Sequence, residues 1–239
     1  CADHVIAISN TTKHDLLDIY NISEQKVSVI YHGISKSFAS RCQNRPCLDN
    51  RNKFSSNKPF ILHVGGREGY KNFISLLKAY ALSRVREAAN LLVVGSQKYY
   101  LPEEETLVDK YGLRDNVILT GYVSDELLKE LYLETNLLVM PSLYEGFGFP
   151  LIEAMACGTT IACSTAPALV EISKGIPLVF NARHIDSIVN ALEIGFYENH
   201  SQRNTLGRKV ASSMTLDGMI KKHIDVYQSL LHGLIGSKM

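Results

Sequence analysis

Six short apolar runs recur along the second half and middle of this sequence, and segments with helical spacing separate them. The runs are residues 60–64, 91–94, 117–119, 137–140, 160–163 and 177–180. Runs that are this short and apolar on both faces are typical of strands in a parallel sheet that helices cover on each side. With right-handed crossovers, they predict an α/β fold with a Rossmann-like, doubly wound parallel sheet. Ligands of such sheets bind beyond the carboxyl ends of the strands, which directs the search for function to the loops that follow them.

The remaining segments predict how the chain is divided. Residues 1–34 read as a strand, a helix and a second strand, which predicts a βαβ fragment of a preceding domain. Residues 35–57 are polar and predict a linker, residues 58–212 the Rossmann-like domain, and residues 213–239 a final helix and tail. The chain begins at Cys1 without a Met, and we expect it to be cut from a longer protein. An apolar stripe in the last helix is interpreted as core packing, and it consists of Met219, Ile220, Ile224, Tyr227, Leu230 and Leu231.

Charge and cysteine content disfavour a nucleic-acid-binding, membrane-spanning or secreted protein. The formal net charge of +1 gives no field that would favour nucleic acid or an anionic membrane, so phosphate binding would have to come from a local site. No stretch has the apolar length of a membrane span or the pattern of a signal peptide, which predicts a soluble protein. The five cysteines show no zinc-ligand spacing and are odd in number, which favours a reduced, cytoplasmic chain; they are Cys1, Cys42, Cys47, Cys157 and Cys163.

The loop after residue 140 has the composition of an anion site. Pro150 suits the first turn of a helix, and Gly158 suits the position just after its end. Gly146 and Gly148 precede this helix and allow a backbone to approach a ligand closely. Free amide groups at the helix start would then bind a diphosphate.

Two carboxylates, Glu145 and Glu153, flank this loop. A carboxylate accepts two hydrogen bonds from a vicinal diol, and a nucleotide sugar carries hydroxyls at both ends of a diphosphate. The order of acid, glycine loop, helix start and acid therefore predicts a nucleotide-sugar site. The alternative is that Glu153 only complements the helix dipole and Glu145 is solvated.

A second glycine loop, residues 63–73, carries Arg67 and Lys71, which we predict to lie one turn apart at a helix start. Cleavage of a sugar–phosphate bond leaves negative charge on the diphosphate, which fixed cations can stabilise. The chain has no Asp-x-Asp motif to hold Mg²⁺, so we predict no metal and no cofactor. The alternative, a solvated cation pair, is disfavoured because cations oppose the dipole at a helix start.

The run from Glu145 to Glu153, a Glu-x7-Glu motif followed by Ala-Met-Ala-Cys-Gly, resembles the signature of the retaining glycosyltransferases of family 4, also called glycosyl transferases group 1. The resemblance spans nearly the whole chain. It implies the GT-B fold of two Rossmann-like domains, with this chain carrying the carboxyl-terminal, donor-binding one.

The resemblance also implies roles for individual residues. Glu145 would contact the hydroxyls of the donor sugar and stabilise charge without covalent attack, and Glu153 would contact the ribose. Lys71 matches the family's Lys-Asn, whereas Arg67 lies one position after the commonest Arg, where this chain has Gly66. Glu145, Lys71 and Arg67 are thus the predicted catalytic residues. The predicted donor-binding residues are Glu153, Gly65, Gly66, Gly121, Tyr122, Val123, Ser142, Gly146, Phe147, Gly148, Phe149 and Leu151.

The function that the resemblance implies is transfer of a hexose, with retention, from a UDP- or GDP-sugar to a glycan or lipid-linked acceptor in surface or extracellular polysaccharide synthesis. It further implies an amino-terminal acceptor domain, supplied in cis or in trans, through which the protein could associate peripherally with a membrane. We predict that this polypeptide alone binds a nucleotide sugar but transfers the sugar slowly or not at all. The alternatives are a non-catalytic nucleotide-sugar-binding subunit and a two-domain epimerase or phosphorylase of the same fold.

Overall fold

The predicted parallel sheet is present with six strands in the computed structural model, which describes residues 2–39, 58–95 and 97–236. The strands along the chain are β1 (Val5–Ala7), β2 (Val27–Val29), β3 (Phe60–Val64), β4 (Asn90–Val94), β5 (Val117–Gly121), β6 (Leu137–Met140), β7 (Ile161–Ser164) and β8 (Leu178–Phe180). The helices are α1 (Asn10–Tyr20), α2 (Lys36–Ala39), α3 (Phe73–Leu82), α4 (Val85–Ala88), α5 (Pro102–Tyr111), α6 (Asp125–Glu134), α7 (Phe149–Cys157), α8 (Pro167–Ser173), α9 (Ile185–Tyr197), α10 (Ser201–Ser212) and α11 (Leu216–Gly236). Each of the six predicted strands exists, and its ends lie within two residues of the predicted ones.

The order of the strands creates one special point in the sheet. The six strands lie in the order β5-β4-β3-β6-β7-β8, and every neighbouring pair is parallel. The chain therefore builds outward from β3 to β5, crosses back to β6 beside β3, and builds outward in the other direction. The helices α3 and α7, which follow β3 and β6, cover opposite faces of the sheet, and the crevice at the loops that precede them is where sheets of this type bind ligands.

Both faces of the sheet are buried, as the apolar runs predict. Successive residues of β3, Ile61 and Leu62, are fully buried and belong to separate hydrophobic clusters. The first cluster contains side chains of α3 and α9, and the second contains side chains of α6, α7 and α8. The Rossmann-like, doubly wound arrangement is thus confirmed.

The amino-terminal segment forms the predicted βαβ unit. β1 pairs with β2 in parallel, and the Ser9 side chain accepts a hydrogen bond from the Thr12 amide and caps α1. The start of the predicted linker forms α2, whose Phe38 is buried against Tyr132. The rest of that linker, which contains Cys42 and Cys47, lies outside the described residues, and so does Cys1. The domain limits stay a prediction.

The interpretation of the stripe in α11 as core packing is wrong for four of its six residues. Ile220, Ile224, Tyr227 and Leu231 are 45–59% exposed. Geometry explains this, because the helix turns the adjacent residues Met219, His223, Val226 and Leu230 toward the body of the protein. None of the helices within the described ranges is long and apolar enough to span a bilayer.

Candidate functional site

The loops that follow β3 and β6 meet at the switch point of the sheet. The Leu143 amide donates a hydrogen bond to the Tyr70 carbonyl oxygen, at 2.7 Å. The Asn72 side-chain amide donates to the Pro141 carbonyl oxygen, at 3.1 Å. The two loops that the sequence singles out separately therefore form one continuous surface.

Lys71 and Glu145 form the polar centre of this surface. The Lys71 Nζ lies 2.9 Å from the Glu145 Oε1, and the Ser142 hydroxyl donates to the same oxygen at 2.8 Å. Glu145 is 8% exposed and Ser142 is buried, while Lys71 is half-buried. Ser142, predicted to bind donor, thus contacts the carboxylate that would do so. A cation and a carboxylate are preformed side by side.

Arg67 does not share a helical turn with Lys71, and that part of the prediction is wrong. Lys71 ends a 3-10 turn, Asn72 has a left-handed backbone with φ of 57°, and α3 begins only at Phe73. The Arg67 side chain is fully buried, with its Nη1 at 3.0 Å from the Glu104 Oε2 and its Nη2 donating to the Tyr99 carbonyl oxygen at 2.8 Å. The Arg67 guanidinium is therefore engaged with Glu104 and the Tyr99 carbonyl oxygen, and its catalytic role remains a prediction.

The backbone between residues 146 and 149 has amide groups available for an anion. α7 begins at Phe149, and Gly148 adopts a left-handed conformation with φ of 96° that a residue with a side chain rarely adopts. Among the described residues, no hydrogen-bond acceptor faces the amides of Phe147, Gly148 and Phe149. These donors lie at the positive end of the helix dipole, an arrangement that favours a phosphate.

The side chains of this loop divide between the core and solvent. Phe147 is 4% exposed and Leu151 is fully buried, so both could contact a donor only through the backbone. Phe149 is half-exposed and its ring stacks on His32, with ring centroids 4.9 Å apart. Burial lowers the pKa of His32, and the neighbouring His223 lowers it further. A neutral imidazole therefore covers one side of the helix start.

Glu153 lies in the second turn of α7 and is half-buried. The Tyr132 hydroxyl donates to the Glu153 Oε2 at 3.0 Å, and Tyr132 itself is fully buried. Burial raises the pKa of Glu153, the Tyr132 hydroxyl lowers it, and Asp125 raises it, with a net increase. The carboxylate is thus oriented by one partner and protonates more readily than an exposed glutamate.

The other predicted donor residues lie along the same edge of the sheet. Gly65 follows β3 with φ of 132°, and Gly121 ends β5 with φ of 70°. The Gly95 amide bonds to the Gly121 carbonyl oxygen, and a side chain at Gly95 would meet the Gly65 carbonyl oxygen at 3.0 Å. The backbone at the carboxyl ends of β3, β4 and β5 is thus closely packed. Gly66 lies beside the Glu68 carboxylate, as a side chain there would meet Glu68 Oε2 at 2.7 Å.

Tyr122 and Val123 follow β5, two strands from β3, or about 10 Å across the sheet. Tyr122 is 86% exposed, so its ring is available to a ligand. Val123 packs partly against the core, which leaves mainly its backbone for such a contact.

Sequence reasoning missed the partners that hold the predicted residues. Ser9 donates a hydrogen bond to the Gly146 carbonyl oxygen at 2.7 Å across 137 residues of sequence, and nothing in local spacing indicates it. Glu104 could have been noticed as the third residue of α5, where its Oε2 accepts from the Leu101 amide. Its pairing with Arg67 depends on how the loops fold and has no signal in the sequence.

Comparison with known proteins gives a consistent result. Residues 44–210 match the family described as Glycosyl transferases group 1. The chain is 34% identical over 175 residues to an uncharacterized glycosyltransferase of Methanocaldococcus jannaschii, which covers 71% of this chain and 44% of that protein. It is 32% identical over 178 residues to the O-antigen chain mannosyltransferase RfbU of Salmonella typhimurium, which covers 74% of this chain and 46% of that protein.

Among solved structures, the crystal structure of Anabaena HepE in complex with UDP and glucose superposes with a TM-score of 0.81 at 18% identity, covering 95% of this chain and 63% of that chain. This similarity confirms the predicted fold, the Rossmann-like half of a GT-B glycosyltransferase. The chain spans less than half the length of the two relatives above.

Proposed function

The chain belongs to the glycosyl transferases group 1, and from that premise we propose that it carries the donor site of a retaining hexosyltransferase. The donor is a nucleoside-diphosphate hexose with uracil or guanine as its base, and the acceptor is a glycan or a lipid-linked sugar of a surface or extracellular polysaccharide. The observation that carries the proposal is the contact of Lys71 with Glu145, close in sequence to the amides of residues 147–149, for which the described part of the chain provides no acceptor. This arrangement lies at the switch point of the sheet, where such folds bind nucleotides.

Each part of the site has a defined role in this proposal. The diphosphate lies on the amides at the start of α7, and Lys71 donates to its oxygens as the sugar–phosphate bond breaks. Glu145 accepts hydrogen bonds from the sugar hydroxyls, and Glu153 accepts them from the ribose diol. The bond from the anomeric carbon to the phosphate oxygen breaks, the acceptor oxygen attaches on the same face, and its proton passes to the leaving diphosphate. No covalent bond to Glu145 is involved.

The relatives suggest which hexose to test first. RfbU is named an O-antigen chain mannosyltransferase, and a serotype-specific mannosyltransferase of Escherichia coli is 27% identical over 94% of this chain. HepE was crystallised with UDP and glucose. We therefore place mannose and glucose donors first in any test of specificity.

Calorimetric titration with GDP-mannose, UDP-glucose and ADP-glucose tests the donor site. We expect saturable binding of GDP-mannose or UDP-glucose by the unaltered chain, and weaker binding of the same donor by Glu145→Gln. The matched control is Glu193→Gln, because Glu193 is also ion-paired, at 3.0 Å with Arg84, but lies on α9. If none of the three sugars binds at millimolar concentration, the proposal fails.

A second prediction concerns pH. Since the pKa of Glu153 is raised, its carboxylate begins to protonate at a pH above the ordinary range of a glutamate, and the protonated acid accepts hydrogen bonds from a diol less well. Affinity for free guanosine or uridine, which carry no titrating phosphate, should therefore fall as the pH is lowered through that raised pKa. Glu153→Gln should abolish this dependence. An equally steep pH dependence in Glu153→Gln would rule out Glu153 as the titrating group.

The second candidate function is a nucleotide-sugar-binding subunit that does not itself transfer sugar. The aligned part is 44% of the Methanocaldococcus relative, and a subunit of this kind would bind the donor while a partner chain binds the acceptor. Incubation with a radiolabelled donor and analysis of the products separate the two candidates. Binding without transfer, together with co-purification of an acceptor-binding chain, would favour the subunit.

A further inference from the structure

The loop that carries Glu145, residues 141–148, is contacted by α1 and its cap residue Ser9 on both sides of Glu145. The Ser9 hydroxyl donates to the Gly146 carbonyl oxygen at 2.7 Å, and the Thr12 hydroxyl makes a longer contact with the same oxygen at 3.4 Å. On the other side, the Tyr144 hydroxyl donates to the Asp15 carboxylate at 2.5 Å. Both neighbours of Glu145 in the sequence are therefore fixed by one helix.

Ser9 performs two tasks with one hydroxyl group. Its oxygen accepts a hydrogen bond from the Thr12 amide at 3.0 Å and so caps α1, while its proton goes to the Gly146 carbonyl oxygen. Ser9 is fully buried, so water does not compete for either bond. One side chain thus links the start of α1 to the loop that carries Glu145.

Gly146 depends on such an external contact. A glycine has no side chain to restrict its backbone, so the torsion angles at residue 146, directly after Glu145, have little preference of their own. Its packing is also tight, because a Cβ at Gly146 would meet the Ile8 Cδ1 at 3.3 Å, so that the Ile8 side chain would have to shift by a few tenths of an ångström. The hydrogen bond from Ser9 therefore supplies the restraint that the sequence of the loop lacks.

The start of α1 is itself anchored to α8. The Glu171 carboxylate accepts five hydrogen bonds, from the amide and side chain of Asn10, the amide and hydroxyl of Thr11, and the Tyr31 hydroxyl. Burial alone would raise the pKa of Glu171, but these donors together lower it, so the group is a carboxylate at neutral pH. This anchor does not involve Glu145, so α1 is a fixed support for the loop.

From this geometry we propose that Ser9 is a positioning residue that holds Glu145 where the donor sugar binds, and so favours a nucleotide sugar over the bare nucleoside diphosphate. The inference rests on the proposed donor site. Lys71 and Ser142 hold the carboxylate of Glu145, and the bond from Ser9 holds the carbonyl group of the next residue, Gly146. Without that bond, the torsion angles of Gly146 are free to change, and the carboxylate of Glu145 can move away from the sugar hydroxyls. The Phe147 amide, which belongs to the same peptide as the Gly146 carbonyl, loses its fixed orientation too, but the diphosphate keeps Lys71 and the amides of Gly148 and Phe149 and is therefore affected less than the sugar.

The test compares dissociation constants for GDP and GDP-mannose, and for UDP and UDP-glucose, in the Ser9→Ala variant and the unaltered chain, by calorimetry. We expect the ratio of the two Kd values, diphosphate over sugar donor, to fall about five- to tenfold in Ser9→Ala, as the loss of one hydrogen bond would give. The Kd for the diphosphate alone should rise less than the Kd for the sugar donor, because the diphosphate keeps Lys71 and two of its three amides. Ser9→Gly, which also lacks the hydroxyl but is tolerated as a helix cap, should give the same ratio as Ser9→Ala.

Ser173→Ala is the matched control. Ser173 is also fully buried, and its hydroxyl also donates to a backbone carbonyl oxygen at 2.7 Å, that of Leu169 within α8. A loss of stability alone would therefore appear in both variants, while the change in ratio should appear only at Ser9.

Two outcomes would overturn the inference. The first is an unchanged ratio in Ser9→Ala or Ser9→Gly when the unaltered chain binds the donor. The second is an equal loss of affinity for diphosphate and sugar donor, which would mean a general disturbance of the site. If the unaltered chain binds no nucleotide sugar, the proposed function itself is contradicted, and the inference fails with it.

Discussion

Replacement of Lys71 by alanine is expected to weaken the binding of a nucleoside diphosphate by about 10- to 100-fold, the loss of one charge-assisted hydrogen bond, and to leave the binding of the free nucleoside unchanged. The structure adds a second reason for a large effect. Lys71 neutralises Glu145 at 2.9 Å, so its removal leaves a carboxylate of 8% exposure to repel the diphosphate. Titration calorimetry with GDP, UDP, guanosine and uridine measures both quantities.

The control for Lys71 is Lys13→Ala. Lys13 is also paired with a glutamate at 2.9 Å, Glu24, and this pair lies on the amino-terminal segment. Its replacement should change neither affinity. Glu153→Ala should weaken diphosphate and nucleoside alike, because Glu153 is proposed to bind the ribose that both contain. Equal effects of Lys71→Ala on the two ligands would mean that Lys71 does not contact the diphosphate.

Replacement of Arg67 by methionine is expected to lower the free energy of unfolding by about 3–5 kcal/mol. The Arg67 and Glu104 side chains are 0% and 2% exposed, and their charged atoms are 3.0 Å apart. Removal of the guanidinium leaves the Glu104 carboxyl buried without its partner, and desolvation of an uncompensated charge is the dominant cost. Denaturant unfolding of the variant measures this loss.

The same experiment distinguishes two views of Arg67. Arg114→Met is the control, since Arg114 is paired with Glu105 and Asp109 on the surface, and its replacement should have little or no effect on stability. The double variant with Arg67→Met and Glu104→Met should recover much of the lost stability, because no unpaired charge remains. A small loss in Arg67→Met alone would contradict a closed ion pair and would favour an Arg67 that reaches the donor, as the family resemblance implies.

The sheet could be predicted because its determinants are local. Each strand is a run buried on both faces, as Ile61 and Leu62 show, and such a run can be recognised without knowledge of its neighbours. Lys71 and Glu145 are predicted site residues for a similarly local reason, because each lies in a glycine loop that follows an apolar run. Their contact depends on the adjacency of β3 and β6, which is a property of strand order and has no local signal.

Other features depend on what lies against a residue and not on the residue itself. Arg67 is predicted from the sequence to bind phosphate, and nothing in the sequence indicates its ion pair with the buried Glu104 of α5. The apolar stripe of α11 looks like core, but among the described residues little covers its outer face. Ser9 looks like a helix cap, which it is, and its bond to Gly146 appears only when α1 and the loop are brought together.

A crystal structure of the chain with GDP-mannose or UDP-glucose tests the donor site most directly. The account predicts the diphosphate on the amides of residues 147–149 within hydrogen-bond distance of the Lys71 Nζ, the sugar hydroxyls on Glu145, and the ribose on Glu153. A ligand bound at any other edge of the sheet, with Lys71 and Glu145 still paired only to each other, would contradict it.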